Sequence, residues 1–187
     1  MAEGPRARLL ELLRALAFER KRVVLASGKE SDFFIDCKRV VLRAEGHALA
    51  AEVMLDGLAR LPPCVAVAGV ELGGCPLASA VALTSFRRGV PVDALYVRKD
   101  AKNHGSRRMI EGDTHLAPGA AVALLEDVVT TGGSTLQAAA KLHGAGYPIV
   151  GVVALVDRLE GGREAIESRG LSFLAAFTRD DFMLSGG

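Results

Sequence analysis

Five short apolar runs constrain this 187-residue chain more than anything else in it: "CVAVAGV" (64–70), "VDALYVRK" (92–99), "AAVALLEDVV" (120–129), "PIVGVVALVD" (148–157) and "LSFLAAF" (171–177). They are rich in β-branched residues and apolar on both faces, and three of the four gaps between them carry a helical pattern, at 75–86, 134–143 and 162–169. Buried strands alternating with helices predict an α/β fold with a mainly parallel central sheet covered on both sides. Upstream, Leu9, Leu12, Leu13, Leu16 and Ala17 form the stripe of an amphipathic opening helix. "RVVLASGKESDFFIDCKRVVL" reads as short strands about a Ser27-Gly28 turn, and a helix over 44–60 ends before Pro62-Pro63.

The remaining gap, 100–119, is polar, broken by glycine and proline, and periodic in neither sense, so it is expected to be a long functional loop. The chain length suits one domain, 1–187, whose N-terminal part to about residue 43 and C-terminal segment stand apart as a small hood. A formal net charge of +1 gives no global signature of nucleic-acid or membrane binding, so an anionic partner must be met locally. Cys37, Cys64 and Cys75 are odd in number and lack a C-x-x-C pair, which reads as reduced structural thiols. With no signal-type or membrane-length apolar run, the expected location is the cytoplasm.

The motif with the most chemistry is "ALLEDVVTTGGST", 123–135. A buried parallel strand ending in Glu126-Asp127 delivers two carboxylates to the carboxyl edge of the sheet, where ligands of open α/β folds bind. The loop Thr130-Thr131-Gly132-Gly133-Ser134-Thr135 supplies backbone N–H groups, hydroxyls and then a helix N-terminus, the parts of a phosphate cradle. A phosphorylated sugar satisfies both halves; a plain polar loop tip is the alternative. It is not a Walker loop, because no lysine follows the glycines. "YVRKDAKNHG" (96–105) gathers Arg98, Lys99, Lys102 and His104 within seven residues at a strand exit, fit either to neutralise a pyrophosphate or to be a solvated basic loop. In "LASGKESDFFIDCKR", alternation sends Phe33 and Phe34 to opposite faces, so at most one serves a ligand directly. "VALVDRLEGG" ends a strand in Asp157-Arg158, where the arginine either pairs with Asp157 or Glu160 or binds a carboxylate ligand.

These motifs, in this order, resemble those of the type I phosphoribosyltransferases, and R-K-x-x-K-x-H-G resembles the signature loop of the orotate phosphoribosyltransferase family within them. The resemblance runs from the first helix through Arg158. It implies the type I fold and transfer of ribose 5-phosphate from 5-phosphoribosyl-1-pyrophosphate (PRPP) to orotate, giving orotidine 5′-monophosphate and pyrophosphate in UMP biosynthesis. It assigns PRPP to Glu126, Asp127, Val128, Val129, Thr130, Thr131, Gly132, Gly133 and Ser134, with Arg98, Lys99, Lys102 and His104. The acids would lie against the ribose hydroxyls and the loop would hold the 5′-phosphate. Lys102, His104 and Asp127 are the implied catalytic residues; Phe33, Phe34, Thr130 and Arg158 the orotate contacts; Glu71, Leu72, Gly73 and Gly74 the pyrophosphate loop. The resemblance further implies Mg²⁺ held mainly by PRPP, with no direct protein ligand assigned, and a homodimer whose lid loop, 102–112, acts in trans. Two lysines frequent in relatives are replaced here by Ala26 and Gly73, and Lys29 and Arg22 are the candidates to compensate. The competing readings are a purine or uracil phosphoribosyltransferase and a non-enzymatic PRPP-sensing regulator.

Overall fold

In the computed structural model, residues 4–24, 30–99 and 108–183 are described. The chain opens with α1 (Pro5–Leu16), started by a proline in its first turn and buried along Leu9 and Leu13. Strands β1 (Phe18–Val24) and β2 (Glu30–Ile35) then pair antiparallel as a two-stranded hood. After α2 (Lys38–Val41) and α3 (Ala44–Leu58), the main sheet is laid down by β3 (Ala66–Val70), β4 (Asp93–Val97), β5 (Ile110–Glu111), β6 (Val122–Val129), β7 (Ile149–Asp157) and β8 (Phe173–Thr178). Its connecting helices are α4 (Gly74–Arg87), α5 (Gly133–Gly144) and α6 (Gly162–Glu167), and α7 (Arg179–Met183) follows the last strand.

The order across the sheet is β5-β4-β3-β6-β7-β8, parallel except for β5. Connections therefore run outward in opposite directions from β3 and β6, and the crevice outside the carboxyl ends of those two strands is the switch point where such sheets bind ligands. Alternation distributes the core. Val67, Ala123, Leu125, Val153 and Leu155 face α1, α3 and α4, whereas Ala66, Ala68, Leu124, Val152 and Ala154 face α5 and α6. Each fully buried leucine or valine contributes about 1.5–3 kcal/mol relative to exposure, which is why polar residues in these strands gather toward their ends.

The expected α/β architecture and its five parallel strands are present, each within about two residues of the predicted bounds, the scatter typical of element ends. The stretch 100–119 departs from expectation. Residues 100–107 lie outside the described residues, but Ile110–Glu111 returns along β4 as a short antiparallel strand, with Tyr96 opposite Glu111 and Val97 opposite Ile110. One buried isoleucine anchors it, too little apolar content to show a period in sequence. Helices α2 and α7 were likewise not anticipated, being only four and five residues long.

Candidate active site

Glu126 and Asp127 are consecutive in β6, so their side chains leave opposite faces of the sheet. Glu126 turns toward α5 and is almost fully buried, 4% exposed, where its Oε2 accepts hydrogen bonds from Ser134 Oγ and Thr135 Oγ1, both at 3.3 Å. Burial, reinforced by the neighbouring Asp127 charge, pushes its carboxyl up to about 8. Asp127 turns to the α4 side, is half-buried, and accepts the Val128 N–H at 2.9 Å. The two carboxyls nevertheless meet near the strand end, where a side-chain hydrogen bond with Asp127 adds to the upward push on Glu126.

Beyond them the chain turns at Gly132, whose φ of 78° is the left-handed conformation that favours glycine, and enters α5 without a side-chain cap. The first N–H groups of α5 lack a side-chain acceptor, and Thr131, Gly133 and Ser134 are exposed around them, the arrangement that binds phosphate. Thr130 is half-buried; Val128 packs on the core beneath and Val129 is buried. Thr135 is fully buried with its hydroxyl on Glu126, so the cradle ends at Ser134 rather than including all four hydroxyls.

Across the switch point, Glu71 and Leu72 lead from β3 into Gly73 and α4. A Cβ on Gly73 would stand 2.0 Å from Asp127 Oδ2, so the absence of a side chain at 73 is what admits the Asp127 carboxylate in this position. Buried Gly74 follows as the first residue of α4. At the β4 exit, Lys99 N donates to Glu71 Oε2 at 2.8 Å, and Arg98 pairs with Glu111 at 3.4 Å. Lys102 and His104 lie outside the described residues, as do Ala26, Ser27, Gly28 and Lys29.

On the β7 side, buried Arg158 donates from NH2 to Phe33 O at 2.9 Å and pairs with Glu160 at 2.9 Å. Asp157 instead faces Arg163 at 3.5 Å and accepts Leu159 N–H. The Phe33 ring is fully buried, 5.1 Å from the Phe18 centroid and 5.7 Å from that of Phe182. The Phe33 ring thus packs in the core with the Arg158 guanidinium 5.4 Å from its centroid, and its carbonyl accepts from the same arginine. Phe34 lies half-buried on the other face of β2, with Lys21 Nζ 4.0 Å from its centroid.

The Phosphoribosyl transferase domain model matches residues 43–173. The chain is 67% identical to the orotate phosphoribosyltransferase of Sorangium cellulosum, over 95% of this chain and 93% of that one. It is 49% identical to that of Synechocystis sp., over 92% and 86%. Among solved structures, orotate phosphoribosyltransferase of Mycobacterium tuberculosis in complex with PRPP superposes with a TM-score of 0.79 at 34% identity, covering 96% of this chain and 99% of that one. The chain belongs to the orotate phosphoribosyltransferase family.

Within that family frame, two described residues stand out that sequence reasoning missed. Lys38 is raised above the usual lysine range by its hydrogen bond to Asp36, at 2.6 Å, and also feels the Asp127 charge, which places a cation within electrostatic reach of the site. Lys141, in α5, reaches the β4 exit. In sequence both look like ordinary helix lysines, and only the fold brings them to the crevice.

The state of Glu126 has a measurable consequence. Between about pH 4.5, its ordinary value, and about 8, the folded chain keeps a proton that the unfolded chain releases, so this residue's contribution to stability is present at low pH and lost as pH rises through 8. Glu126→Gln keeps an acceptor for Ser134 and Thr135 but has no proton to lose. Denaturant unfolding of the ligand-free protein across that window should show the variant gaining on the parent as pH rises, by up to about 1.4 kcal/mol per pH unit. Parallel curves for the two proteins would contradict the buried, protonated carboxyl.

Proposed function

We propose that the chain is an orotate phosphoribosyltransferase, transferring ribose 5-phosphate from PRPP to N1 of orotate with release of pyrophosphate. The observation that carries the reading is the convergence, at one switch point, of the β6 acid pair, the open N-terminus of α5 and the cationic β4 exit, in a chain of this family. In the proposed site the whole chain acts as one domain, with α1, β1, β2, α2 and α7 as its hood. Thr131, Gly132, Gly133 and Ser134 hold the 5′-phosphate by backbone N–H groups, and Glu126 and Asp127 accept from the ribose hydroxyls. Arg98, Lys99 and the loop Glu71-Leu72-Gly73-Gly74 face the pyrophosphate. Arg158 presents a planar fork to the orotate carboxylate, sharing its five donors with Glu160.

The C1–oxygen bond to pyrophosphate breaks as N1 of orotate forms the new bond to C1, and the N1 proton passes to the leaving pyrophosphate or to water. Positive charge develops on the ribose, as in other glycosyl transfers, and negative charge on the leaving group. Asp127, beside the ribose, opposes the first, and the cations of the β4 exit oppose the second. The acidic strand end also suits a hydrated Mg²⁺ carried in by PRPP, which would neutralise pyrophosphate. We place the enzyme in the cytoplasm, which cell fractionation checks; no helix among the described residues is long and apolar enough to cross a membrane.

The direct test is a spectroscopic assay of PRPP with orotate, uracil and hypoxanthine in parallel, with and without a chelator. Orotate alone should turn over, and the chelator should abolish it; preference for hypoxanthine or uracil, or turnover of none, would overturn the reading. Arg158→Ala should raise KM for orotate about tenfold or more while KM for PRPP moves less than about twofold. An equal loss for both substrates would reduce Arg158 to a structural partner of Glu160 and Phe33.

An isologous homodimer belongs to the same proposal, with Lys102 and His104 acting across the interface. Exposed Leu42, Leu83, Phe86 and Val90 support a partner surface, beside a groove of about 520 Å³ lined by Leu42, His47 and Leu83. Mixing inactive Lys102→Ala with inactive Asp127→Asn, with subunit exchange demonstrated, should restore one of the two sites in each mixed dimer, about a quarter of all sites on random exchange of an equal mixture. No recovery would contradict action in trans.

A further inference from the structure

Two consecutive carbonyls at the end of β4 converge on one ammonium. Lys141 Nζ donates to Arg98 O and to Lys99 O, each at 2.7 Å. From the loop after β3, Glu71 accepts Lys99 N–H at 2.8 Å, while its own N–H donates to Val97 O at 2.9 Å. The peptide that carries Arg98 and Lys99 is therefore gripped between an acid on one side-loop of the crevice and a cation on the helix that begins at the phosphate loop.

The grip is built into one face of α5. Ser134, Gln137, Ala138 and Lys141 fall at i, i+3, i+4 and i+7, a single helical stripe, and all four line a cavity of about 220 Å³ with Val70, Val97, Arg98 and Lys99. Seven residues at 1.5 Å each put Lys141 about 10 Å along the axis from the phosphate loop. A lysine in the last turn of a helix ordinarily interacts with its own terminal carbonyls. Here the long side chain is instead committed to another element through two charge-assisted bonds, at the expense of its rotamer freedom.

We infer that Lys141 is a positioning residue for the pyrophosphate half of the reaction: it fixes the Arg98–Lys99 peptide relative to the phosphate loop, so that both cations meet the leaving group. The inference rests on the PRPP reading above. It is selective by geometry, because β4 and β7 are three strand intervals apart, about 14 Å, which separates this grip from Arg158 and the base.

The test compares the parent with Lys141→Met, Lys141→Gln and Lys141→Arg in the forward reaction and in pyrophosphorolysis of orotidine 5′-monophosphate. Lys141→Met should raise KM for PRPP and for pyrophosphate about tenfold, leave KM for orotate within about twofold, and keep a near-parental thermal midpoint. Lys141→Gln, with a shorter neutral donor, should show the same split at smaller size, and Lys141→Arg should recover most of the loss. Unchanged kinetics, an equal loss for orotate and pyrophosphate, or failure of both neutral variants to fold would overturn the inference. A parent inactive with orotate and PRPP would instead bring down the reading on which it rests, a separate and visible outcome.

Discussion

The site depends on how closely α4 can begin against β3 and β6. A Cβ on Gly69 of β3 would stand 2.2 Å from Gly74 O, and one on Gly74 would stand 2.4 Å from Leu125 O in β6. With no side chains intervening, the loop Glu71-Leu72-Gly73 is drawn down onto the end of the acid-bearing strand. Gly73 completes the approach by yielding its side-chain space to the Asp127 carboxylate. A chain with alanine or larger at 69 or 74 would meet backbone and have to lift α4 away from the sheet, whereas a side chain at 73 would displace the Asp127 carboxylate.

Given that frame, the electrostatics follow from burial. Glu126 and Asp127 are adjacent, yet the strand sends them to different surroundings: one to a nearly dry pocket beneath α5, the other to the half-open α4 side. The buried carboxyl is pushed up to about 8 and held by two hydroxyls. On the proposed PRPP reading, ribose hydroxyls and the cations of the β4 exit would favour its ionised form and so couple substrate binding to proton release. Burial also pushes the Cys37 thiol well above its usual range, with Asp127 and Asp36 adding to the effect, so this cysteine beside the site stays an unreactive thiol.

Strands β3, β4, β6, β7 and β8 were readable in sequence because each is apolar on both faces, and the acid pair because two adjacent carboxylates interrupt such a run two residues before it ends. Ser134 was assigned to phosphate, but its hydroxyl also serves Glu126, a choice that local sequence does not encode. Phe33 and Phe34 could be separated by alternation, but which ring was the buried one depended on where Phe18 and Phe182 arrived, from 15 residues before Phe33 and 149 after it. Lys141 carried no signal, since its partners are backbone carbonyls, which any residue type supplies. Side chains whose roles follow from their own strand were legible; those whose roles are set by a distant backbone were not.

The central claim is that the end of β6 holds the ribose of PRPP through two carboxylates. It is tested most directly by kcat/KM for PRPP in the double variant Glu126→Gln with Asp127→Asn, its fold verified by circular dichroism. Amides preserve the shape but remove two charge-assisted acceptors worth about 1.5–3 kcal/mol each, so kcat/KM should fall by about two orders of magnitude or more. A folded double variant that keeps the parental kcat/KM for PRPP would contradict the account.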